Sequence, residues 1–124
     1  MKVLVVDDEK DIQPLFEQRF RKEIRSGEVQ MYFAFSGEEA LARLDQDNLG
    51  VVLILSDINM PGMSGLELLH KIKQKPYEPS PQVMMITAYG DEDNYNKAMQ
   101  LGADDFLAKP VDFKMLKEKI KALN

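Results

Sequence analysis

The chain has 124 residues, which is enough for one domain with a single core but not for two. Its net charge of −5 argues against non-specific binding to nucleic acid, and the absence of cysteine excludes disulfides and thiolate chemistry. No apolar run approaches the roughly 20 residues of a membrane span, and a first predicted strand at Lys2 leaves no room for a signal peptide. We therefore expect a cytoplasmic protein that has no membrane segment.

Strand-type runs alternate with amphipathic helical patterns, which favours an α/β fold built on a parallel sheet. The predicted strands run from Lys2 to Val6, Val29 to Phe35, Val51 to Ser56, Gln82 to Thr87 and Asp105 to Ala108. Five helices are predicted: from about Asp11 to Arg25, from the N-cap Ser36 to near Asp47, from the N-cap Ser64, from Asp91 to Leu101, and from Asp112 onwards. This pattern corresponds to five βα units.

Apolar spacing predicts which helical residues face the sheet. They are Ile12, Leu15, Phe16, Phe20 and Ile24 in the first helix, Leu66, Leu69 and Ile72 in the third, and Phe113, Leu116, Ile120 and Leu123 in the last. Pro14 falls in the first turn of its helix, where no backbone N–H bond is lost. Ser36 and Glu39 have the spacing of a capping box at the start of the second helix.

Charged residues follow three predicted strands at the point where each strand stops. Asp7-Asp8-Glu9 follows the first strand, Asp57 the third and Lys109 the fifth. Because parallel strands end at a common edge, we expect these side chains to converge. Clustered carboxylates indicate a hard cation such as Mg²⁺, and a lysine on the same edge indicates an anion. The combination is typical of phosphoryl transfer.

Each residue of this edge also has a structural interpretation. Asp7 and Asp8 suit a helix N-terminus, where acidic groups interact favourably with the helix dipole. Asp57 is either a carboxylate nucleophile or an Asx-turn former. Thr87, at the end of the fourth strand, is either a donor to a phosphoryl oxygen or a β-branched strand residue. Lys109 is either the partner of a phosphoryl group or a surface lysine.

Five ordered motifs together resemble the receiver domain of two-component response regulators, in a chemotaxis-regulator-like form. They are Val-Asp-Asp-Glu (6–9), Leu-Ser-Asp-Ile-Asn-Met-Pro-Gly-Met-Ser-Gly-Leu-Glu (55–67), Ile-Thr-Ala-Tyr (86–89), Gly-Ala-Asp-Asp-Phe (102–106) and Ala-Lys-Pro (108–110). Each motif is weak alone, but the ordered set is specific and covers nearly the whole chain. The resemblance implies one receiver domain over residues 1–124, with a flavodoxin-like, doubly wound sheet in strand order 2-1-3-4-5 between two helical layers.

The resemblance implies that Asp57 accepts a phosphoryl group from a phosphohistidine and that the cofactor is Mg²⁺. Asp8 and Asp57 would bind Mg²⁺ directly, together with the backbone carbonyl of Asn59, while Asp7 would act mostly through water. The chain itself would be a regulatory domain and not an enzyme, apart from its own phosphoryl transfer and slow dephosphorylation.

Further roles follow from the same resemblance. Thr87 and Lys109 would hold the phosphoryl oxygens, and Thr87 would then move while the aromatic ring of Phe106 turns inward. Phe106 has no hydroxyl, where many receivers have tyrosine, so switching here would depend on burial of the ring. We expect the ring of Tyr89 to shield the acyl phosphate and to slow its hydrolysis; an unchanged lifetime in Tyr89→Ala would contradict this.

The implied partners are a sensor histidine kinase or phosphotransfer protein and a downstream output domain or protein. A homodimer would form through the fourth predicted helix, the fifth strand and the last helix. Lysines in place of arginines along that last helix disfavour a winged-helix DNA-binding output, and we expect no direct contact with nucleic acid. The segments 15–21 and 87–91 look more like receivers attached to enzymatic outputs, nucleotide cyclases among them.

Three other classes compete with this interpretation. A haloacid-dehalogenase-type phosphohydrolase needs a second aspartate two residues after the nucleophile, where this chain has Asn59. A flavin or nucleotide carrier needs an anion-binding loop after the first strand, where Asp7-Asp8-Glu9 would repel phosphate. A pseudo-receiver would lack part of the acceptor site, and none of those residues is missing here.

Overall fold

A computed structural model describes residues 1–46, 50–88 and 90–123 of the chain. Its five strands are β1 Lys2–Val6, β2 Gln30–Ala34, β3 Leu53–Asp57, β4 Gln82–Ala88 and β5 Asp105–Lys109. All neighbouring strands are parallel, and they form one sheet in the order β2-β1-β3-β4-β5. The predicted fold class and strand order are confirmed.

The helices in the described part of the chain number six, so the prediction of five was wrong by one. They are α1 Ile12–Arg19, α2 Arg21–Ser26, α3 Gly37–Gln46, α4 Gly65–Gln74, α5 Glu92–Gln100 and α6 Phe113–Ala122. The predicted end of the second helix near Asp47 lies outside the described residues. None of the described helices is both long and apolar enough to cross a lipid bilayer.

The additional helix arises because the first predicted helix bends at Phe20. Phe20 leaves the helical region (φ −104°, ψ 20°), and its ring stacks 6.1 Å from that of Phe16 while both rings meet Phe113 edge-on. Leu15 is 39% exposed, so its predicted place on the inner face was also wrong. Adjacent helical residues point about 100° apart, and Phe16 takes the position that faces the sheet.

The sheet separates two apolar clusters, as expected for a three-layer α/β/α domain. One cluster packs beneath α3, α4 and α5, and the other beneath α1, α2 and α6. β3 lies at the centre, and all five of its residues are buried. Near-continuous apolar sequence in a strand is typical of burial on both faces. The strand that ends in Asp57 is therefore the most enclosed element of the fold.

Local hydrogen bonds fix where the helices begin. The hydroxyl of Ser36 accepts the Glu39 N–H at 3.0 Å, which confirms Ser36 as the N-cap. The Glu39 carboxylate reaches back as predicted but accepts the N–H of Phe35 at 3.1 Å, one residue before the N-cap, so the contact is a variant of the predicted capping box. Ser64 and Asp112 cap α4 and α6 in the same way, through the N–H groups at N3. These caps start the helices at the edge of the sheet where the strands end.

Candidate acceptor site

The strand register brings the sequence-predicted residues to one edge. Val6 pairs with Ser56, Asp57 with Ile86, and Ala88 with Lys109 in the parallel ladders. The residues that end β1, β3, β4 and β5 therefore lie side by side. The convergence expected from the sequence is confirmed by this register.

Three carboxylates meet at this edge. Asp7, Asp8 and Asp57 each offer an oxygen, and these oxygens all lie within 4.8 Å of one another. Asp7 and Asp57 are buried, with 4% and 5% of their surface exposed, whereas Asp8 is open to solvent. Like charges this close repel strongly where water is scarce. A bound cation would therefore stabilise the cluster by reducing the repulsion between its carboxylates.

The pKa of Asp7 shows that the charged form of this carboxyl is destabilised in the cluster. Burial raises the pKa of its carboxyl, and the nearby charge of Asp57 raises it further. The Glu9 N–H donates to its Oδ1 at 2.9 Å and partly opposes the rise, because a hydrogen bond stabilises the charged form. The net pKa of Asp7 is raised, so a cation in the cluster would relieve an existing repulsion between carboxylates.

Lys109 supplies the positive charge that the described chain itself brings to Asp57. Its Nζ lies 2.9 Å from Asp57 Oδ2 in an ion pair. The side chain of Asp57 is 7% exposed, and that of Lys109 is 41% exposed. Burial lowers the pKa of Lys109, but the hydrogen bond and charge of Asp57 outweigh it and the pKa is raised. Lys109 is thus a fixed cation with one side open to an incoming anion.

Thr87 carries a buried hydroxyl near the end of β4. The residue is 8% exposed, and its Oγ1 has no hydrogen-bond partner among the described residues. Buried hydroxyls are usually satisfied, and an unsatisfied one costs about 1–3 kcal/mol. Thr87 therefore has a free donor at the edge that carries Asp57 and Lys109, as a site for an oxyanion requires.

The donor set fits a hard divalent cation. Every candidate ligand is an oxygen, and Mg²⁺ prefers one or two carboxylates with carbonyls and water completing its shell. The chain has no cysteine and places its histidine, His70, on α4 with an exposed side chain, so softer ligands are not offered here. Asn59 follows Asp57 by two residues and is exposed.

Comparison with known families agrees with this geometry. The sequence model of the response regulator receiver domain matches residues 3–121 of the chain. The chain belongs to the response regulator receiver family. It is thus a phospho-accepting switch domain of two-component signalling, and as a receiver it is a regulatory domain.

Three similar proteins illustrate the match. The response regulator protein PilR of Pseudomonas aeruginosa is 40% identical over 122 residues, which cover 96% of this chain and 25% of PilR. A cyclic di-GMP phosphodiesterase of Thermotoga maritima is 35% identical over 120 residues, covering 97% of this chain and 30% of the enzyme. The crystal structure of a receiver domain protein from Clostridium thermocellum superposes with a TM-score of 0.84 at 30% identity, covering 98% and 92% of the two chains.

The chain spans between a quarter and a third of the length of the two curated relatives. The matched part of each relative is a receiver-sized portion of a larger protein. What the remainder of such a protein does is a separate question from what this receiver does.

We call the edge of the sheet that carries Asp57, Thr87 and Lys109 the acceptor edge. A groove beside it contains Phe106, a predicted switch residue. Phe106 on β5 is half-buried, and its ring centroid lies 4.4 Å from that of Tyr95 on α5. Both rings line a groove of about 270 Å³ that also reaches Thr87. Sequence reasoning missed Tyr95, although an aromatic residue on the helix beside β5 was a usable signal. Tyr89 lies outside the described residues, so its shielding role stays a prediction.

Proposed function

We propose that Asp57 accepts a phosphoryl group from a phosphohistidine of a sensor histidine kinase or phosphotransfer protein. The observation that supports this most is the buried Asp57 carboxylate, which lies beside Lys109 and two further carboxylates. The neighbouring strand carries the Thr87 hydroxyl, which has no partner among the described residues. A carboxylate oxygen of Asp57 forms the new bond to phosphorus as the phosphorus–nitrogen bond breaks. The histidine nitrogen keeps the electron pair of the broken bond, and the product is an acyl phosphate.

Lys109 and Thr87 receive the phosphoryl oxygens in this proposal. Lys109 Nζ already lies 2.9 Å from Asp57, so the ammonium can contact an oxygen of the group that Asp57 gains. The Thr87 hydroxyl donates to a second oxygen and thereby satisfies a donor that lacks a partner in the described structure. Both contacts strengthen as negative charge accumulates on the phosphoryl group.

Asp7, Asp8 and Asp57 would hold Mg²⁺, with the backbone carbonyl of Asn59 as a further ligand and Asp7 acting through water. When bound, Mg²⁺ supplies positive charge that offsets repulsion between the carboxylates and the incoming phosphoryl oxygens. The raised pKa of Asp7 and the clustering of three acidic oxygens support this assignment. Asn59 offers no carboxylate at the position where a phosphohydrolase of the haloacid-dehalogenase type needs its acid.

The output step would start at Thr87 and Phe106. A bond from Thr87 to the phosphoryl group draws its side chain towards Asp57, and space is released beside Phe106 in the shared groove. An inward turn of Phe106 would break its contact with Tyr95 and change the face formed by α5, β5 and α6. We propose that an output domain or a second copy of the chain binds this face.

The output itself is proposed from sequence likeness. Segments 15–21 and 87–91 favour an enzymatic output, and the similarity to a cyclic di-GMP phosphodiesterase supports that choice. We propose a receiver domain over residues 1–124 that acts in the cytoplasm and makes no direct contact with nucleic acid; its net charge of −5 supports the last point.

Intact mass after incubation with acetyl phosphate and Mg²⁺ tests the acceptor assignment. We expect the mass to rise by one phosphoryl group. The gain should disappear in Asp57→Asn and after addition of a chelator. Asp104→Asn, which changes a carboxylate outside the cluster, should be phosphorylated like the parent protein.

Two results would contradict the proposal. A phosphoryl group that persists in Asp57→Asn would place the acceptor elsewhere. No gain in the parent, from either acetyl phosphate or a phosphorylated histidine kinase, would indicate a receiver that is not phosphorylated.

A further inference from the structure

The main chain that follows Asp57 is held at three successive groups. The Ser56 hydroxyl donates to the carbonyl oxygen of Asp57 at 3.0 Å. The Ile58 N–H donates to the carbonyl of Ile86 at 3.2 Å, and the Ile58 carbonyl accepts the Gly65 N–H at 2.8 Å. The next carbonyl is that of Asn59, the proposed backbone ligand. The peptide group that leads into Asn59 is therefore held at its carbonyl oxygen.

Gly65 lies against this stretch more closely than any other residue type allows. A Cβ atom at position 65 would overlap the Asp57 carbonyl oxygen and would lie 2.8 Å from Ile58 Cα. Both neighbours are backbone atoms, so rotation of a side chain cannot relieve the overlap. The position requires glycine because of space, and the first turn of α4 packs directly on the residue that carries the acceptor carboxylate.

Ser56 contacts the same carbonyl through a hydrogen bond. It is 1% exposed, and its hydroxyl donates to a neighbour that already lies in the innermost strand. Burying a hydroxyl costs free energy unless it forms a hydrogen bond, and the Ser56 hydroxyl forms its bond with the Asp57 carbonyl.

We propose that Ser56 and Gly65 are positioning residues that orient the main chain from Asp57 to Asn59 and thereby set the affinity of the acidic cluster for a divalent cation. This inference rests on the proposed function. Neither residue touches the reacting atoms. Both act through the Asp57 carbonyl. Ser56 donates a hydrogen bond to it, and Gly65 leaves room for it because glycine has no side chain.

The test is a titration with Mg²⁺ of the parent protein, Ser56→Ala and Gly65→Ala, followed by amide chemical shifts of the folded protein. We expect Gly65→Ala to weaken the Kd for Mg²⁺ by about tenfold, the usual size for loss of a group that orients a metal ligand. Ser56→Ala should weaken it by about threefold, in line with the net value of one hydrogen bond. Restoring a hydroxyl in Ser56→Thr should recover most of the loss.

Gly27→Ala provides the matched control. Gly27 has φ +81° and has no atom within 4 Å of the place that a Cβ would occupy, and it precedes β2 at an outer edge of the sheet. The substitution strains the backbone and lowers stability without touching the site. Its Kd for Mg²⁺ should equal that of the parent, which separates a positioning effect from general destabilisation.

The outcomes are distinguishable. If the parent binds Mg²⁺ and folded Ser56→Ala and Gly65→Ala bind it equally well, the positioning inference is wrong and the proposed function stands. If the parent itself does not bind Mg²⁺, the metal assignment fails and this inference fails with it. If Gly65→Ala does not fold, Ser56→Ala against its threonine variant decides the question.

Discussion

Two groups of aspartates in this receiver differ in how their charges are balanced. Asp45, Asp104 and Asp105 each form an ion pair with a separate lysine, at 2.5 to 2.8 Å. Among Asp7, Asp8 and Asp57, only Asp57 forms an ion pair with a lysine within the described structure, and that lysine is Lys109. The first group is satisfied by the chain alone, whereas the second has an excess of negative charge. Incomplete balance of charge, more than the presence of acidic residues, distinguishes the proposed cation site from the other aspartates.

Asp104 should show the largest effect on stability. Its Oδ2 accepts both the buried Val83 N–H and Lys73 Nζ, each at 2.8 Å, so its side chain extends the pairing of β4 and β5. Asp104→Ala leaves the Val83 N–H without a partner, and we expect a loss of about 2 kcal/mol in the free energy of unfolding. Urea denaturation measures it. Asp104→Asn keeps an acceptor and should lose much less; an equal loss would show that the ion pair dominates.

Addition of Mg²⁺ should stabilise the folded protein only through Asp7, Asp8 and Asp57, which we call the unbalanced group. Each tenfold excess of Mg²⁺ over its Kd should add about 1.4 kcal/mol to the free energy of unfolding of the parent, because the ion binds the folded state. Thermal unfolding with and without the ion measures this. The increment should vanish in Asp8→Asn and persist in Asp104→Asn. A similar increment in both variants would indicate a general effect of ionic strength.

Removing one charge from the unbalanced group should stabilise the metal-free protein. Asp7→Asn keeps the acceptor for the Glu9 N–H but removes repulsion from Asp57, and we expect a gain of about 1 kcal/mol at neutral pH, within the usual range for optimised charges. The pKa of Asp7 is raised in the folded state, so its charge destabilises the fold above that pKa and has no effect below the ordinary value of 3.8. The gain should therefore shrink as the pH falls towards 3.8. A gain independent of pH would exclude this cause.

The smallest effect is expected at Lys119. Its ion pair with Asp105 is short, at 2.7 Å, but both side chains are about one-third exposed. Exposed pairs contribute little because water and salt screen them, so Lys119→Met should change the free energy of unfolding by less than about 0.5 kcal/mol. A loss as large as that of Asp104→Ala would mean that the balanced group is more than a set of surface contacts.

Much of the site was predictable because it depends on where strands end. Apolar runs identify β1, β3 and β5, and parallel pairing then places Asp7, Asp57 and Lys109 at one edge without any knowledge of side-chain contacts. The N-cap at Ser36 was predictable as well, since it depends only on residues close in sequence. Local patterns and strand ends are thus enough to locate the acceptor edge.

The features that the sequence did not predict depend on contacts between distant segments. The bend at Phe20 accompanies packing against Phe113, which is 93 residues away by the numbering. Lys73 and Asp104 are 31 residues apart, and nothing near either residue indicates the pair. The need for glycine at position 65 appears only when α4 is placed on the Asp57 carbonyl. Such contacts are set by packing of whole elements and not by local propensity.

The contact between Tyr95 and Phe106 places a fluorescent side chain beside the proposed switch residue. The chain has no tryptophan and four tyrosines, so tyrosine emission is not lost by energy transfer to an indole. Tyr95 is 44% exposed, and its ring centroid is 4.4 Å from that of Phe106. If Phe106 turns inward as proposed, the surroundings of the Tyr95 ring change, and we expect its emission to change with them. Tyrosine fluorescence of the unlabelled protein would then report the proposed switch in real time.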